Sequence, residues 1–116
     1  MTDPDCLFCK IVAGEIPAEL VHESASTLAF RDVSPQAPVH VLVVPKQHQP
    51  TAAALIETDP AVLVDIVSAA RDVAVQEGVA ETGYRLVVNT GSDAGQSVAH
   101  VHVHVLGGRE MTWPPG

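Results

Sequence analysis

The sequence feature that most constrains this chain is a run of alternating histidine and valine residues near its C-terminal end. The run reads His100-Val101-His102-Val103-His104-Val105, and Leu106 closes it. Side chains two residues apart lie on the same face of a β-strand, so we expect the three imidazoles to share one face. The valines and Leu106 are expected to pack into a core on the other face. Three titratable rings in a row favour a chemical role for this face.

Size and charge limit the classes of function open to the chain. Its 116 residues, of which 47% are hydrophobic, predict a single domain over residues 1–116 with a sizeable core. The net charge of −8 argues against a nucleic-acid partner, because polyanion binding needs a broad basic surface. We find no stretch of transmembrane length and no secretory signal at the acidic start of the chain. These features predict a cytoplasmic protein that does not bind membranes.

The pattern of apolar and turn residues predicts an α+β fold with a largely antiparallel sheet. The longest helix is expected to have Asp59 as its N-cap, Pro60 at its first position and Gly78 just past its end. The predicted apolar stripe of this helix comprises Leu63, Ile66, Val67, Ala70 and Val73. Besides the histidine strand, the sequence predicts strands at 20–23, 27–31, 39–44 and 84–89, and short helices at 7–13 and 51–56.

The two cysteines form the motif Cys6-Leu7-Phe8-Cys9 close to the N-terminus. In a reducing compartment this spacing indicates metal or redox chemistry more than a structural disulfide. A thioredoxin-like redox motif needs a strand before it, and too few residues precede Cys6 to form one. Zinc is therefore the favoured ligand, although two thiolates supply only half of a tetrahedral site.

The loop directly before the histidines is rich in glycine and serine. Its backbone N–H groups at 95–98 and the Ser97 hydroxyl are the donors that a phosphate oxygen needs. The loop lacks the Lys-Ser/Thr pair of a P-loop, and glycine and serine also form ordinary hairpin connections. Its position beside the imidazoles favours phosphate, since a neutral imidazole attacks phosphorus without a separate base. The alternative is chelation of a catalytic metal by two or three of the histidines.

The chain resembles the histidine triad (HIT) family, and in particular its Hint branch of nucleotide-binding proteins. Residues 95–109 read GQSVAHVHVHVLGGR, which is similar to the signature of three histidines alternating with apolar residues, and further similar segments occur at 30–40, 88–89 and 111–116. Ala99 departs from the pattern, because this position is often aromatic in the Hint branch. The resemblance implies an HIT-like fold with a five-stranded antiparallel sheet, one long helix and one or two short ones. It also implies a homodimer in which the sheet continues across the interface.

The resemblance further implies hydrolysis of purine nucleoside phosphoramidates and related adenylates, such as aminoacyl-AMP, through a covalent nucleotidyl-histidine intermediate. By this resemblance His102 is the nucleophile that attacks the α-phosphorus. His104 and Ser97 hold the phosphate and help the leaving amine to take a proton, while His40 supports the triad. The remaining nucleotide-binding positions are Asp32 for the ribose, Val33 beside the base, and Asn89, Gly95, Gln96, Ser97 and Val98 around the phosphate.

Many bacterial members of the family carry a four-ligand zinc site, and this chain resembles them at the ligand positions. The resemblance implies that Cys6, Cys9, His48 and His100 form such a site here, closed and therefore structural. No catalytic metal is then expected. Two other functions stay open at this point: a nucleotide-binding interaction module with vestigial catalysis, and a metal-dependent hydrolase that uses the triad as ligands.

Overall fold

The architecture is a five-stranded sheet with helices on both faces, seen in a computed structural model that describes residues 2–116. The strands are β1 (Leu20–Glu23), β2 (Thr27–Arg31), β3 (Val39–Pro45), β4 (Tyr84–Val87) and β5 (Val103–Gly107). They lie in the order β1-β2-β3-β5-β4, and each neighbouring pair is antiparallel. The predicted α+β fold with a five-stranded antiparallel sheet is confirmed.

One long and two short helices accompany the sheet, again as predicted: α1 (Leu7–Val12), α2 (Ala52–Thr58) and α3 (Pro60–Gln76). The Thr51 hydroxyl caps α2 by accepting from the backbone N–H of Ala54 at 3.1 Å. Gly78 follows α3 with a φ of 77°, the left-handed conformation that ends many helices. Among the residues described, we find no helix both long enough and apolar enough to span a membrane.

Asp59 occupies the N-cap position of α3, as predicted, and it also ends α2. Its side chain makes no capping hydrogen bond to the first turn of α3. Its carboxylate instead accepts a hydrogen bond from Nε2 of Gln47 at 3.3 Å. Proline at the first position of α3 removes one of the N–H groups that would otherwise need a cap.

The larger hydrophobic core lies between α3 and the sheet, and the alternate valines of the C-terminal run enter it as predicted. The buried side of α3 is rich in alanine, which lets the helix approach the sheet closely; it comprises Val62, Ile66, Ala69, Ala70, Val73 and Ala74. The prediction that Val67 belongs to this stripe is wrong, because its side chain is 48% exposed. The true stripe is rotated around the helix toward Val62 and Ala69.

The second core cluster lies on the opposite face of the sheet and joins α1 to β2 and β3. Phe8 and Cys9 of α1 pack there against buried strand residues, which are Leu28, Phe30, Leu42 and Val44. The three histidines of the run point to this face, as expected from their spacing. Leu106 is half-buried and lies on the histidine side, so its predicted place among the valines is wrong. Leu106 is two residues from His104, and the strand period places the two on one face.

The histidine strand also begins later than expected, at Val103 rather than His100. The residues before it bond to the loop after β3 instead of extending the ladder. The backbone N–H of Val101 donates to the carbonyl of Gln49 at 2.8 Å. This bend brings His100 toward the N-terminal cysteines while His104 stays on the strand.

Candidate active site and metal centre

Four side chains converge where α1 begins, and they are the four that the resemblance implies as zinc ligands. The candidate ligand atoms of Cys6, Cys9, His48 and His100 all lie within 4.8 Å of one another. Nδ1 of His100 is 3.3 Å from the sulfur of Cys6, 3.5 Å from that of Cys9, and 3.3 Å from Nδ1 of His48. A tetrahedral zinc ion with ordinary bond lengths spaces its sulfur and nitrogen ligands about 3.3 to 3.8 Å apart. The cluster therefore fits a structural zinc ion.

The surroundings of the cluster also suit a cation. Nε2 of His100 donates to the carbonyl of Pro45 at 2.9 Å, so the lone pair of this fully buried ring is on Nδ1, toward the cysteines. Burial lowers the pKa of His100 and so favours the neutral ring that binds metal. Burial raises the pKa of the Cys9 thiol, and a bound cation would offset that penalty on the thiolate.

His102 lies directly beyond the metal centre and is held in one tautomer. Its side chain is buried, and its Nδ1–H donates to the backbone carbonyl of His100 at 2.8 Å. The proton is therefore on Nδ1, and Nε2 keeps its lone pair. The ring of Phe8 stands edge to face against this imidazole, with centroids 5.1 Å apart and an interplanar angle of 88°. His102 is thus a restrained ring whose Nε2 carries the lone pair.

A chain of hydrogen bonds assigns the protons of the other two histidines. The backbone N–H of Gln36 donates to Nδ1 of His40 at 3.0 Å, so His40 carries its proton on Nε2. That Nε2–H donates to Nδ1 of His104 at 2.9 Å. His104 therefore carries its own proton on Nε2 and presents a neutral N–H donor. This head-on arrangement shares a proton between the two rings. The candidate ligand atoms of Asp32, His40 and His104 also lie within 4.8 Å of one another, and in this arrangement a proton occupies the space between the two imidazoles.

The pKa values of these rings support the neutral forms. Burial, followed by the electrostatic influence of the neighbouring His102 and His40 rings, lowers the pKa of His104 to about 4. Burial also lowers the pKa of His40, and the Asp32 carboxylate opposes this shift from 3.4 Å away. Both rings are consequently uncharged near neutral pH.

Asp32 follows β2, and its carboxylate contacts both the turn after β2 and one of the histidines. One carboxylate oxygen accepts the backbone N–H of Ser34 at 2.8 Å, which is the turn role expected of such a residue. The other oxygen lies beside Nε2 of His40. The turn therefore holds the carboxylate in place at the edge of the histidine cluster.

A cavity of about 410 Å³ opens onto this cluster. It brings together six of the residues predicted to bind nucleotide, namely Asp32, Val33, Ser97, Val98, His102 and His104. Val33 stands at the rim and is 98% exposed. Much of the remaining wall is apolar and comes from α1 through Leu7, Phe8 and Ile11. Sequence reasoning does not identify this wall, although Leu7 and Ile11 have the spacing of one face of a short helix.

Three other predicted nucleotide-binding residues lie outside the cavity lining: Asn89, Gly95 and Gln96. The N–H groups of Gly95 and Gln96 donate within the loop, to Ser92 and Gly91. The side chain of Gln96 also braces the loop, since its Nε2 donates to the carbonyls of Pro50 and Val98 at 2.7 and 3.0 Å. His40 lies behind His104 and reaches the cavity only through that ring.

An antiparallel sheet with alternating histidines beside a cavity defines a class of protein, and the comparison with known families identifies it. The chain belongs to the HIT domain family, whose profile matches residues 13–111. An uncharacterised HIT-like protein of Synechococcus elongatus is 49% identical over 112 residues, covering 97% of each chain. A 14 kDa zinc-binding protein of Zea mays is 46% identical over 118 residues, covering all of this chain and 91% of its relative. The crystal structure of a HIT family hydrolase from Legionella pneumophila superposes with a TM-score of 0.93 at 53% identity, covering 97% of this chain and 100% of the other.

Proposed function

We propose that the chain, acting as one domain over residues 1–116, is a cytoplasmic nucleotide hydrolase. Its proposed substrates are purine nucleoside phosphoramidates and related adenylates, and its proposed intermediate is nucleotidyl-histidine. The observation that carries the proposal is the fixed tautomer of His102, which leaves the lone pair on Nε2 of a ring that lines the same cavity as His104. The likeness to a HIT family hydrolase supports the same class of reaction.

In the proposed reaction Nε2 of His102 attacks the α-phosphorus and the bond from phosphorus to the leaving nitrogen breaks. Ser97, on the cavity wall, takes a proton from solvent and passes its own hydroxyl proton to that nitrogen, so the amine leaves neutral. The neutral N–H of His104 donates to a phosphate oxygen and stabilises the charge that develops on it. Water then attacks the phosphorus, the bond to His102 breaks, and AMP leaves with release of one proton. His40 acts through its hydrogen bond to His104.

The rest of the nucleotide is assigned along the cavity wall. Asp32 accepts hydrogen bonds from the ribose hydroxyls, and its turn bond to Ser34 orients it for that purpose. Val33 and the apolar residues of α1 flank the purine, because a flat ring of this size is bound mostly by apolar contact.

The phosphate is assigned to the loop before the histidines. Ser97 and Val98 line the cavity and supply the donors, while Gly95 and Gln96 shape the loop through the bonds they make within it. We propose that Asn89, which follows β4, completes this cradle. Such preorganised donors act on charge that develops during the reaction.

Covalent trapping tests the proposal. Wild-type protein and the His102→Asn variant are mixed with an AMP-phosphoramidate, quenched without acid and analysed by intact-protein mass spectrometry. We expect one added nucleotidyl group on the wild type, mapping to His102, and neither adduct nor turnover for the variant. Tight AMP binding with no release of AMP from any amidate would instead identify a nucleotide-binding interaction module, and turnover by His102→Asn would contradict the assigned nucleophile.

We also propose a homodimer in which the sheet continues through β4. In the part of the chain that the structure describes, the outer edge of β4 pairs with no other strand. An exposed apolar side chain, Leu86, lies on this edge strand. An open strand edge beside apolar surface is the kind of surface that a second copy covers.

A further inference from the structure

We propose that Phe8 is a positioning residue that holds the imidazole of His102 in place and links it to the zinc-binding turn. The proposal deepens the function assigned above, because it concerns the ring proposed there as the nucleophile. Phe8 takes no part in bond making or breaking. Its role is to restrict the orientation of a neighbouring ring.

The Phe8 ring is packed among three other rings. Its side chain is buried, and it meets His102 edge to face at 5.1 Å. The same ring meets His100 at 5.9 Å and Phe30 at 5.4 Å, both also near edge to face. A ring enclosed in this way has little freedom to turn, and it denies His102 the space for another rotamer.

The metal centre also restrains the position of Phe8 in space. Phe8 lies between Cys6 and Cys9, and both cysteines belong to the zinc cluster. The sulfur of Cys6 also accepts the backbone N–H of Cys9 at 3.4 Å, which closes the first turn of α1 around Phe8. Ligation at both ends of this turn therefore determines where the Phe8 ring lies.

His102 is restrained from a second direction by the same metal centre. Its Nδ1–H donates to the carbonyl of His100, and the ring of His100 belongs to the zinc cluster. One restraint fixes the tautomer, and the Phe8 contact fixes the tilt of the ring. Small errors in the direction of an attacking atom lower the rate of the chemical step steeply. The zinc-binding turn thus acts on the orientation of His102 as well as on stability.

The test compares Phe8→Leu with Leu28→Val, using zinc-loaded protein. Leu28 is a matched control because it belongs to the same core cluster and is as buried as Phe8, yet it lies outside the cavity lining. Each variant is assayed for zinc content, melting temperature, kcat and KM with an AMP-phosphoramidate. Nitrogen-15 NMR of the His102 ring, without substrate, reports its tautomer and its environment. Phe8→Met serves as a second variant that removes the ring and replaces it with a flexible, unbranched apolar side chain.

We expect Phe8→Leu to keep one zinc ion per chain, to lower kcat about two- to tenfold, and to shift the His102 ring signals. Because Phe8 also lines the cavity, kcat and the ring signals, rather than KM, decide the positioning role. Leu28→Val should lose similar thermal stability with wild-type kcat and ring signals. Equal kcat and equal His102 spectra for Phe8→Leu, Phe8→Met and Leu28→Val would overturn the proposal. A wild-type protein that releases no AMP would refute the proposed function alone, since the ring signals still decide the positioning role.

Discussion

Nε2 of His40 donates its proton to Nδ1 of His104 across 2.9 Å, and this bond determines which face of His104 carries a donor. A histidine behind the cavity thereby controls the chemistry of a histidine on its wall. The control begins further back, at the backbone N–H of Gln36, which fixes the proton of His40. The donor that we assign to the phosphate is therefore set by Gln36, His40 and His104 in series.

Replacing His40 tests this series. In His40→Ala the Nδ1 atom of His104 loses its donor, the ring becomes free to change tautomer, and the N–H toward the phosphate is lost part of the time. We expect kcat for an AMP-phosphoramidate to fall about tenfold or more, as for loss of one preorganised hydrogen bond. Steady-state kinetics measure this, with His22→Ala on β1 as the control. Wild-type kcat in His40→Ala would contradict the assigned role.

The pH dependence of stability has a predicted sign. Burial lowers the pKa of His104 to about 4 in the folded state, from 6.5 in the unfolded chain. The unfolded state therefore binds more protons between these two values, and the contribution of His104 is fully present above pH 6.5 and lost as pH falls toward 4. We expect the free energy of unfolding, measured with urea, to fall less steeply between pH 7 and 5 in His104→Gln than in wild type. Parallel curves for the two proteins would show that His104 is not the source.

Zinc removal should destabilise the fold. Without the ion, the buried sulfur and nitrogen atoms of the cluster lose the charge that holds them together. We expect exhaustive chelation to lower the melting temperature by roughly 10 °C or more, and added zinc to restore it. In Cys9→Ser the melting temperature should start low and respond little to the chelator. An unchanged melting temperature after zinc loss verified by metal analysis would refute a structural ion.

The proposed contact of Asp32 with the ribose can be tested separately from its role in the turn. Asp32→Asn keeps an oxygen to accept the Ser34 N–H but loses the charge offered to the ribose. We expect KM for an AMP-phosphoramidate to rise about tenfold with kcat less affected. The 2′,3′-dideoxy substrate should show a much smaller difference between wild type and variant. Equal losses for both substrates would mean that Asp32 does not contact the ribose.

The proposed dimer is checked by its mass in solution. Leu86→Arg places a charge on the exposed side chain of the open edge strand, where a second copy would bury it. We expect light scattering after size exclusion to give twice the chain mass for wild type and the monomer mass for the variant. Val33→Arg, at the cavity rim, is the control that should leave the mass unchanged. A monomeric wild type at high concentration would exclude the dimer.

The sequence predicted most of the strands and the common face of the three histidines, because both depend on local periodicity. The error at Leu106 arose because the expectation departed from this periodicity, which places Leu106 on the same face as His104. Val67 was misplaced for a different reason. Which side of an amphipathic helix is buried depends on how closely small residues such as Ala69 let it approach the sheet.

The sequence predicted part of the residue set of the candidate site, but not the apolar wall from α1 or the hydrogen bonds that connect the histidines. The four zinc positions come from a family resemblance, while their convergence depends on the bend before Val103 that sends His100 toward α1. The hydrogen bond from Gln36 to His40 uses a backbone N–H, which no side-chain pattern reveals. The packing of Phe8 on His102 joins segments far apart in the chain and required the structure.

His100 contributes its ring to the metal cluster and its backbone carbonyl to His102. The ring is specific to histidine, whereas every residue type has a carbonyl. A substitution at this position therefore removes a metal ligand without removing the hydrogen-bond acceptor. At position 100, metal binding therefore requires a histidine side chain, whereas the tautomer of His102 depends only on where the backbone carbonyl lies.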